Sequence, residues 1–216
     1  MAIRNIVFDF GGVILNIDHK LSINCFKILG VKNFDSIFSA VRQDKVFDNL
    51  EKGIIAEEEF RDKIRELTGK NLSNIKIDHA WNAMLLNLPK ERYDLLRKLK
   101  YKYRIFLLSN TNIIHYQSYM DYLDRSYGMK QFEDIFEKAF LSFNIGKRKP
   151  NKEAFFHVID EADIKPEETF FIDDTPEHVE GARLTGINSY WLNVKESSIL
   201  DLFDDYGVLR KEFYLA

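Results

Sequence analysis

A short run over residues 3–8, apolar but for Arg4 and Asn5, stops at Asp9 and is followed closely by Gly11-Gly12. A run this short, closed by glycines, reads as a buried strand that ends in a tight turn. The same device recurs later. A run over 104–108 ends in Ser109-Asn110-Thr111-Asn112, and one over 169–172 ends in Asp173-Asp174. Shorter segments near 139–141 and 188–192 also read as strands. Helical patterns over 91–99, 113–123, 151–162 and 176–184 alternate with them, with Pro89 suited to a first turn and Gly186 closing the last helix. Strands alternating with helices imply a parallel sheet joined by right-handed crossovers.

Between the first and second strands the pattern changes. Apolar residues recur at helical spacing over 21–29, 34–41, 60–67 and 75–86, with breaks at Gly30, Gly53 and Gly69 and no convincing strand. The expected fold is therefore α/β: a Rossmann-like parallel-sheet core from residues 1–16 and 88–216, carrying an inserted all-α helical bundle over 17–87.

Composition narrows the function classes. At 45% hydrophobic and 14% aromatic residues the chain can bury a sizeable core. A net charge of −3 does not suit a nucleic-acid surface. The short basic run Lys147-Arg148-Lys149, taken alone, is a solvated charge cluster or, by pattern, a localisation signal. The single cysteine, Cys25, permits neither an intramolecular disulfide nor a cysteine zinc site, and reads as a buried helical thiol. Asp9 interrupts the only apolar run near the N-terminus, and nothing approaches the ~20 apolar residues of a membrane span. A cytoplasmic protein with no nucleic-acid or membrane partner is expected. Oligomeric state leaves no signal.

In open α/β sheets the ligand crevice lies beyond the carboxyl ends of the strands. Asp9, Ser109, Asn110, Asp173 and Asp174 all fall at such ends, and Lys149 lies in a loop just before a helix. Their types suit one task. A carboxylate can attack phosphorus, but an anion attacking an anion needs charge neutralised first. Magnesium does this, held by one or two carboxylates and the substrate phosphate; Asp9 with Asp173 or Asp174 supplies them. Lys149 adds positive charge, and the Ser109 hydroxyl and nearby amides can hold phosphate oxygens. Singly, Asp173-Asp174 is explained as a helix cap and Ser109-Asn110 as a turn. Jointly these ordinary explanations fail to account for matches at successive strand ends or adjoining loops.

Phe8-Asp9-Phe10-Gly11-Gly12-Val13-Ile14, Leu108-Ser109-Asn110-Thr111, Gly146-Lys147-Arg148-Lys149-Pro150 and Phe171-Ile172-Asp173-Asp174 resemble, in order, the four motifs of the haloacid dehalogenase superfamily. The resemblance implies a magnesium-dependent phosphatase acting on a small phosphorylated metabolite through an aspartyl-phosphate. Asp9 then matches the nucleophile and a metal ligand, and Gly11 the position whose carbonyl binds magnesium. Ser109, Asn110 and Lys149 match phosphate-binding residues. Asp174 matches the direct acidic ligand, with Asp173 acting through water. The helical insert matches a cap.

One departure stands out. Most phosphatases of the superfamily carry a second aspartate where this chain has Gly11. General acid–base assistance contributes typically about 10²–10⁴-fold, and glycine supplies none. A substrate with a good leaving group, such as an anomeric sugar phosphate, tolerates this. Asp18 is a candidate substitute, though an N-cap explains it more simply. Glu51-Lys52-Gly53-Ile54 and Glu57-Glu58-Glu59-Phe60, with the motifs, resemble a bacterial branch that includes an α-D-glucose-1-phosphate phosphatase. Two alternatives remain: a 2-haloacid dehalogenase, which the Asp173-Asp174 pair opposes, and a non-catalytic member that binds a phosphorylated ligand or a protein. The five histidines form no metal-ligand spacing and read mostly as surface residues, with His178 placed to orient Asp174 or a metal-bound water. Phe38, Phe47 and Trp81 read as core.

Overall fold

The computed structural model describes residues 2–31 and 45–214. The helical pattern over 34–41, and Phe38 within it, lie outside the described residues. Strands β1 (Asn5–Phe8), β2 (Arg104–Ser109), β3 (Lys138–Leu141), β4 (Thr169–Asp173) and β5 (Asn188–Trp191) form one sheet in the order β3-β2-β1-β4-β5. Every neighbouring pair is parallel, with Phe8 opposite Leu107 on one side and Ile172 on the other.

All residues of β1 and β4 are buried, as expected where helices cover both faces of a sheet. Alternate residues point to opposite faces, and the core divides accordingly. Ile6, Phe8, Ile105, Leu107, Phe170 and Ile172 join one cluster, and Val7, Phe106, Leu108 and Phe171 the other. Chain order beyond β1 runs through α1 (His19–Ile28), α2 (Val46–Glu51), α3 (Glu57–Thr68), α4 (Asn74–Asn82) and α5 (Lys90–Leu99) to β2. Then come α6 (Ile113–Tyr127), α7 (Met129–Glu133), β3, α8 (Ser142–Ile145), α9 (Lys152–Ala162), β4, α10 (Pro176–Arg183) and β5. Leu96 and Leu99 of α5 and Leu123 of α6 cover the first face; Phe155 and Val158 of α9 and Ala182 of α10 cover the second.

The helices between β1 and β2 gather around a third cluster that includes Phe26, Leu50, Phe60, Ile64, Ile77 and Trp81, joined by Ile114 of α6. Phe47 and Trp81 are both core, as expected, and their rings stack 5.0 Å apart. Cys25 is a half-buried thiol in α1.

The chain enters and leaves this helical block side by side. Asn16 N–H donates to Asn87 O at 2.9 Å, Leu86 N–H to Asn16 O at 3.0 Å, and Asp18 N–H to Met84 O at 2.9 Å. This short ribbon explains why α4 ends at Asn82, although apolar spacing continues to 86: pairing with the outgoing chain overrides helical periodicity. Arg92 braces the ribbon from α5, donating to Asn16 Oδ1 at 3.0 Å and Ile14 O at 3.3 Å.

The block also touches the core further on. Arg148 pairs with Asp48 and, at 2.9 Å, with Glu51 of α2. Gly53, at φ +64°, packs so closely that a Cβ there would lie 2.4 Å from the Phe143 carbonyl oxygen. Only glycine fits both the conformation and the space.

Candidate active site

β1, β2 and β4 deliver Asp9, Ser109 and Asp173 to the same end of the sheet, where parallel pairing keeps strand ends level. The strand order reverses direction at β1 and β4, the place where open α/β sheets bind ligands. Lys149 arrives from the loop before α9. It is fully buried, although its neighbours in sequence are charged. Its ammonium lies 2.5 Å from Asp9 Oδ1 and 2.6 Å from Asp173 Oδ2. The basic run is therefore no surface cluster: Lys149 is turned inward while Arg148 is bound to α2.

Carboxylate oxygens of Asp9, Asp173 and Asp174 come within 4.8 Å of one another. Three carboxylates around one ammonium leave a surplus of negative charge. An all-oxygen set of this kind suits a hard divalent cation such as magnesium. Burial pushes the Asp9 carboxyl up to about 7 against the pull of Lys149, and the nearby Asp173 and Asp174 add to the rise. Burial would raise Asp173 too, but Lys149 and His178 hold it below the usual range. Asp174 is raised, by burial and then by Asp173. Burial would lower Lys149, yet the two carboxylates outweigh it and keep the ammonium charged. A cation among the three carboxylates would favour their ionised forms further.

Local contacts fix these groups. Asn110 grips the main chain of Lys149 from both sides, its Nδ2 donating to Lys149 O at 2.9 Å and its Oδ1 accepting from Lys149 N–H at 3.0 Å. Its side chain is thus committed to Lys149. Ser142 Oγ makes a similar double link to Thr111, accepting from its N–H and donating to its carbonyl. Asp173 Oδ1 accepts from Thr175 N–H at 2.8 Å, and His178 Nδ1 lies 3.0 Å from the same oxygen. The contact of His178 is with Asp173, not with Asp174 as the sequence spacing suggests. Trp191 Nε1 donates to Asp174 O at 3.0 Å.

The two glycines differ. Gly12, at φ +84°, faces Asp174 so closely that a Cβ would lie 2.2 Å from Oδ2. At Gly11 a Cβ would make only ordinary contact, 3.4 Å from Ile17 Cδ1. Asp18 Oδ1 accepts from Lys20 N–H at 2.9 Å and caps α1. The simpler explanation of that residue is the observed one.

Sequence reasoning passed over Ser142, Trp191 and the surroundings of His115. His115 is no surface histidine. It is 8% exposed, stacked on Trp81 at 5.0 Å, with Nδ1 2.7 Å from Asn82 Oδ1. Asn112 offered a local signal, since an asparagine before an apolar helix is a natural cap; its Oδ1 accepts from Ile114 and His115 N–H.

A doubly wound parallel sheet with a carboxylate–lysine cluster at its switch point defines an α/β enzyme class that works on charged ligands. A model of the haloacid dehalogenase-like hydrolases matches residues 3–186, and the chain belongs to that family. It is 31% identical to D-ribitol-5-phosphate phosphatase of Bacteroides thetaiotaomicron over 188 residues, 87% of this chain and 91% of the relative. A solved haloacid dehalogenase family enzyme from the same organism, in complex with magnesium and inorganic phosphate, is 40% identical, with a TM-score of 0.82 over 91% of this chain and 97% of that one. A related hydrolase from Porphyromonas gingivalis is 34% identical, with a TM-score of 0.78 over 88% of this chain and 91% of that one. Family, fold class and enzyme class agree with the expectations from the motifs. The expected magnesium has its counterpart in that solved relative. Among the described residues no helix is long and apolar enough to cross a membrane.

Proposed function

We propose that the protein is a magnesium-dependent phosphatase for a small polyol or sugar phosphate, with Asp9 as nucleophile. The observation that carries this reading is the Lys149 ammonium wedged between the Asp9 and Asp173 carboxylates with Asp174 alongside. Magnesium, held by Asp9, Asp173, Asp174 and the Gly11 carbonyl, would neutralise phosphate charge. The Ser109 hydroxyl and the Asn110 amide bind the phosphate oxygens, since the Thr111 N–H is held by Ser142, and Lys149 offsets charge on the transferring group.

Asp9 attacks phosphorus as the bond from phosphorus to the ester oxygen breaks; the alkoxide leaves and takes a proton from water, and an aspartyl-phosphate forms. Water then cleaves the acyl phosphate to restore Asp9 and release inorganic phosphate. Asn110 and His178 act by positioning: one holds the Lys149 main chain, the other the Asp173 carboxylate. The block over 17–87 serves as a cap that shields this chemistry from bulk water. Gly11 provides no proton, and Asp18 is engaged at a helix start, so alcohols that leave readily suit the site. A polyol phosphate is favoured by the activity named for the Bacteroides relative, and an anomeric sugar phosphate by the glycine.

The test is phosphate release, with magnesium, from D-ribitol 5-phosphate, both anomers of glucose 1-phosphate, glucose 6-phosphate and p-nitrophenyl phosphate. Asp9→Asn runs in parallel. Turnover in the wild type that vanishes in a folded Asp9→Asn supports the reading. Undiminished turnover in that variant removes the nucleophile, and full activity in chelator favours the metal-free dehalogenase mechanism.

A further inference from the structure

We propose that Asn82 and His115, with the Trp81 indole N–H beside them, form the subsite that reads hydroxyl groups on the alcohol leaving the phosphoester. The inference rests on the phosphatase reading and goes beyond it by assigning residues to the leaving group.

Position comes first. β2 brings Ser109 to the catalytic end of the sheet, the next residue grips Lys149, and Asn112 caps α6 through the N–H groups of Ile114 and His115. His115 therefore sits in the first turn of a helix that starts at the site. Asn82 ends α4, just before the ribbon that returns the chain to the core. The pair bridges the helical block and the first turn of α6, the helix that follows the Ser109 strand end.

The polar inventory points to a ligand. An amide oxygen can only accept, so the 2.7 Å contact with Asn82 Oδ1 places the hydrogen on His115 Nδ1. Nε2 is then a bare acceptor. Burial holds the ring neutral, its pKa lowered to about 3, so Nε2 stays an acceptor at neutral pH. Among the described residues it has no hydrogen-bond partner, and neither has Asn82 Nδ2. The indole N–H of Trp81, a residue 7% exposed, is buried and likewise unpaired. A buried indole N–H is rarely left so. Trp81 and His115 lie nearly parallel, at 9°, which fixes both edges. An acceptor on His115 with N–H donors on the two residues it touches complements neighbouring hydroxyls, each of which gives and takes a hydrogen bond.

The experiment compares kcat/KM for the best hydroxylated ester among D-ribitol 5-phosphate and the glucose phosphates with that for p-nitrophenyl phosphate, whose leaving group has no further hydroxyl. His115→Phe keeps the stacked ring and removes the nitrogens; Asn82→Ala removes the amide at a half-buried position. The ratio is expected to fall roughly tenfold or more in each, since a site built for a hydroxyl discriminates strongly through it. An unchanged ratio in Asn82→Ala, or in a folded His115→Phe, overturns the subsite, even if both rates drop. So does a wild type that cleaves p-nitrophenyl phosphate and none of the hydroxylated esters. A wild type silent on every ester removes the phosphatase reading itself, and the subsite with it.

Discussion

The Lys149 ammonium lies 2.5 Å from Asp9 Oδ1 across 140 positions of sequence, with Lys149 fully buried and Asp9 nearly so. At that separation in a buried setting each charge depends on the other. Removing one partner of a buried pair costs about 3–5 kcal/mol, because the other is left uncompensated. Lys149→Met should therefore be destabilised by roughly that amount in chelator. Magnesium should restore part of the loss by taking over the Asp9 and Asp173 charges. Urea unfolding with and without magnesium checks this; a variant as stable as wild type in chelator would count against the pairing.

Gly12→Ala tests the other side of the cluster. A Cβ at 2.2 Å from Asp174 Oδ2 forces that carboxylate to move, and φ +84° adds backbone strain. The magnesium concentration for half-maximal activity should rise about tenfold or more, the scale seen when a group supporting a metal ligand is lost. Titrating activity or calorimetric heat against magnesium gives the answer.

Gly11→Asp asks what the missing carboxylate is worth. The space beside Ile17 admits a side chain. If proton transfer limits turnover of poor leaving groups, the variant should accelerate alkyl phosphates about tenfold or more, and p-nitrophenyl phosphate much less. Equal, unimproved rates on both would mean that the proton is supplied elsewhere.

His115 gives a signature in pH. Its folded pKa, about 3, lies below the unfolded value near 6.5. Above 6.5 neither state binds the proton and this contribution to stability is fully present. As pH falls from 6.5 toward 3 only the unfolded state takes up the proton, so stability is lost. Between pH 7 and pH 5 the loss is roughly 2 kcal/mol for one such group. His115→Phe should lose less stability than wild type over that interval, by about 1–2 kcal/mol, in parallel denaturant titrations.

The sheet was legible because buried strands carry short apolar runs, Ile6–Phe8 in β1, Ile105–Leu108 in β2 and Phe170–Ile172 in β4. The carboxylates were legible because each follows such a run directly. Side-chain commitments were not. That Asn110 holds the main chain of a residue 39 positions away, or that His178 meets Asp173 rather than Asp174, depends on orientation that spacing does not encode. Periodicity misled at the end of α4, where a partner strand displaced a helix. It also missed α2 altogether, since six residues are too few to establish a period.

Asn16 and Asn87 stand hand in hand where the chain leaves the sheet and returns to it. A segment whose two ends are anchored side by side behaves as a cassette, so long as Arg148, Phe143 and Ile114 keep partners in it. Its sequence could lengthen, shrink or be exchanged for another helical insert without shifting the strands that carry Asp9 and Asp173. Selection could then retune which alcohol is accepted by swapping what lies between those two asparagines, while the phosphate chemistry beneath is inherited intact.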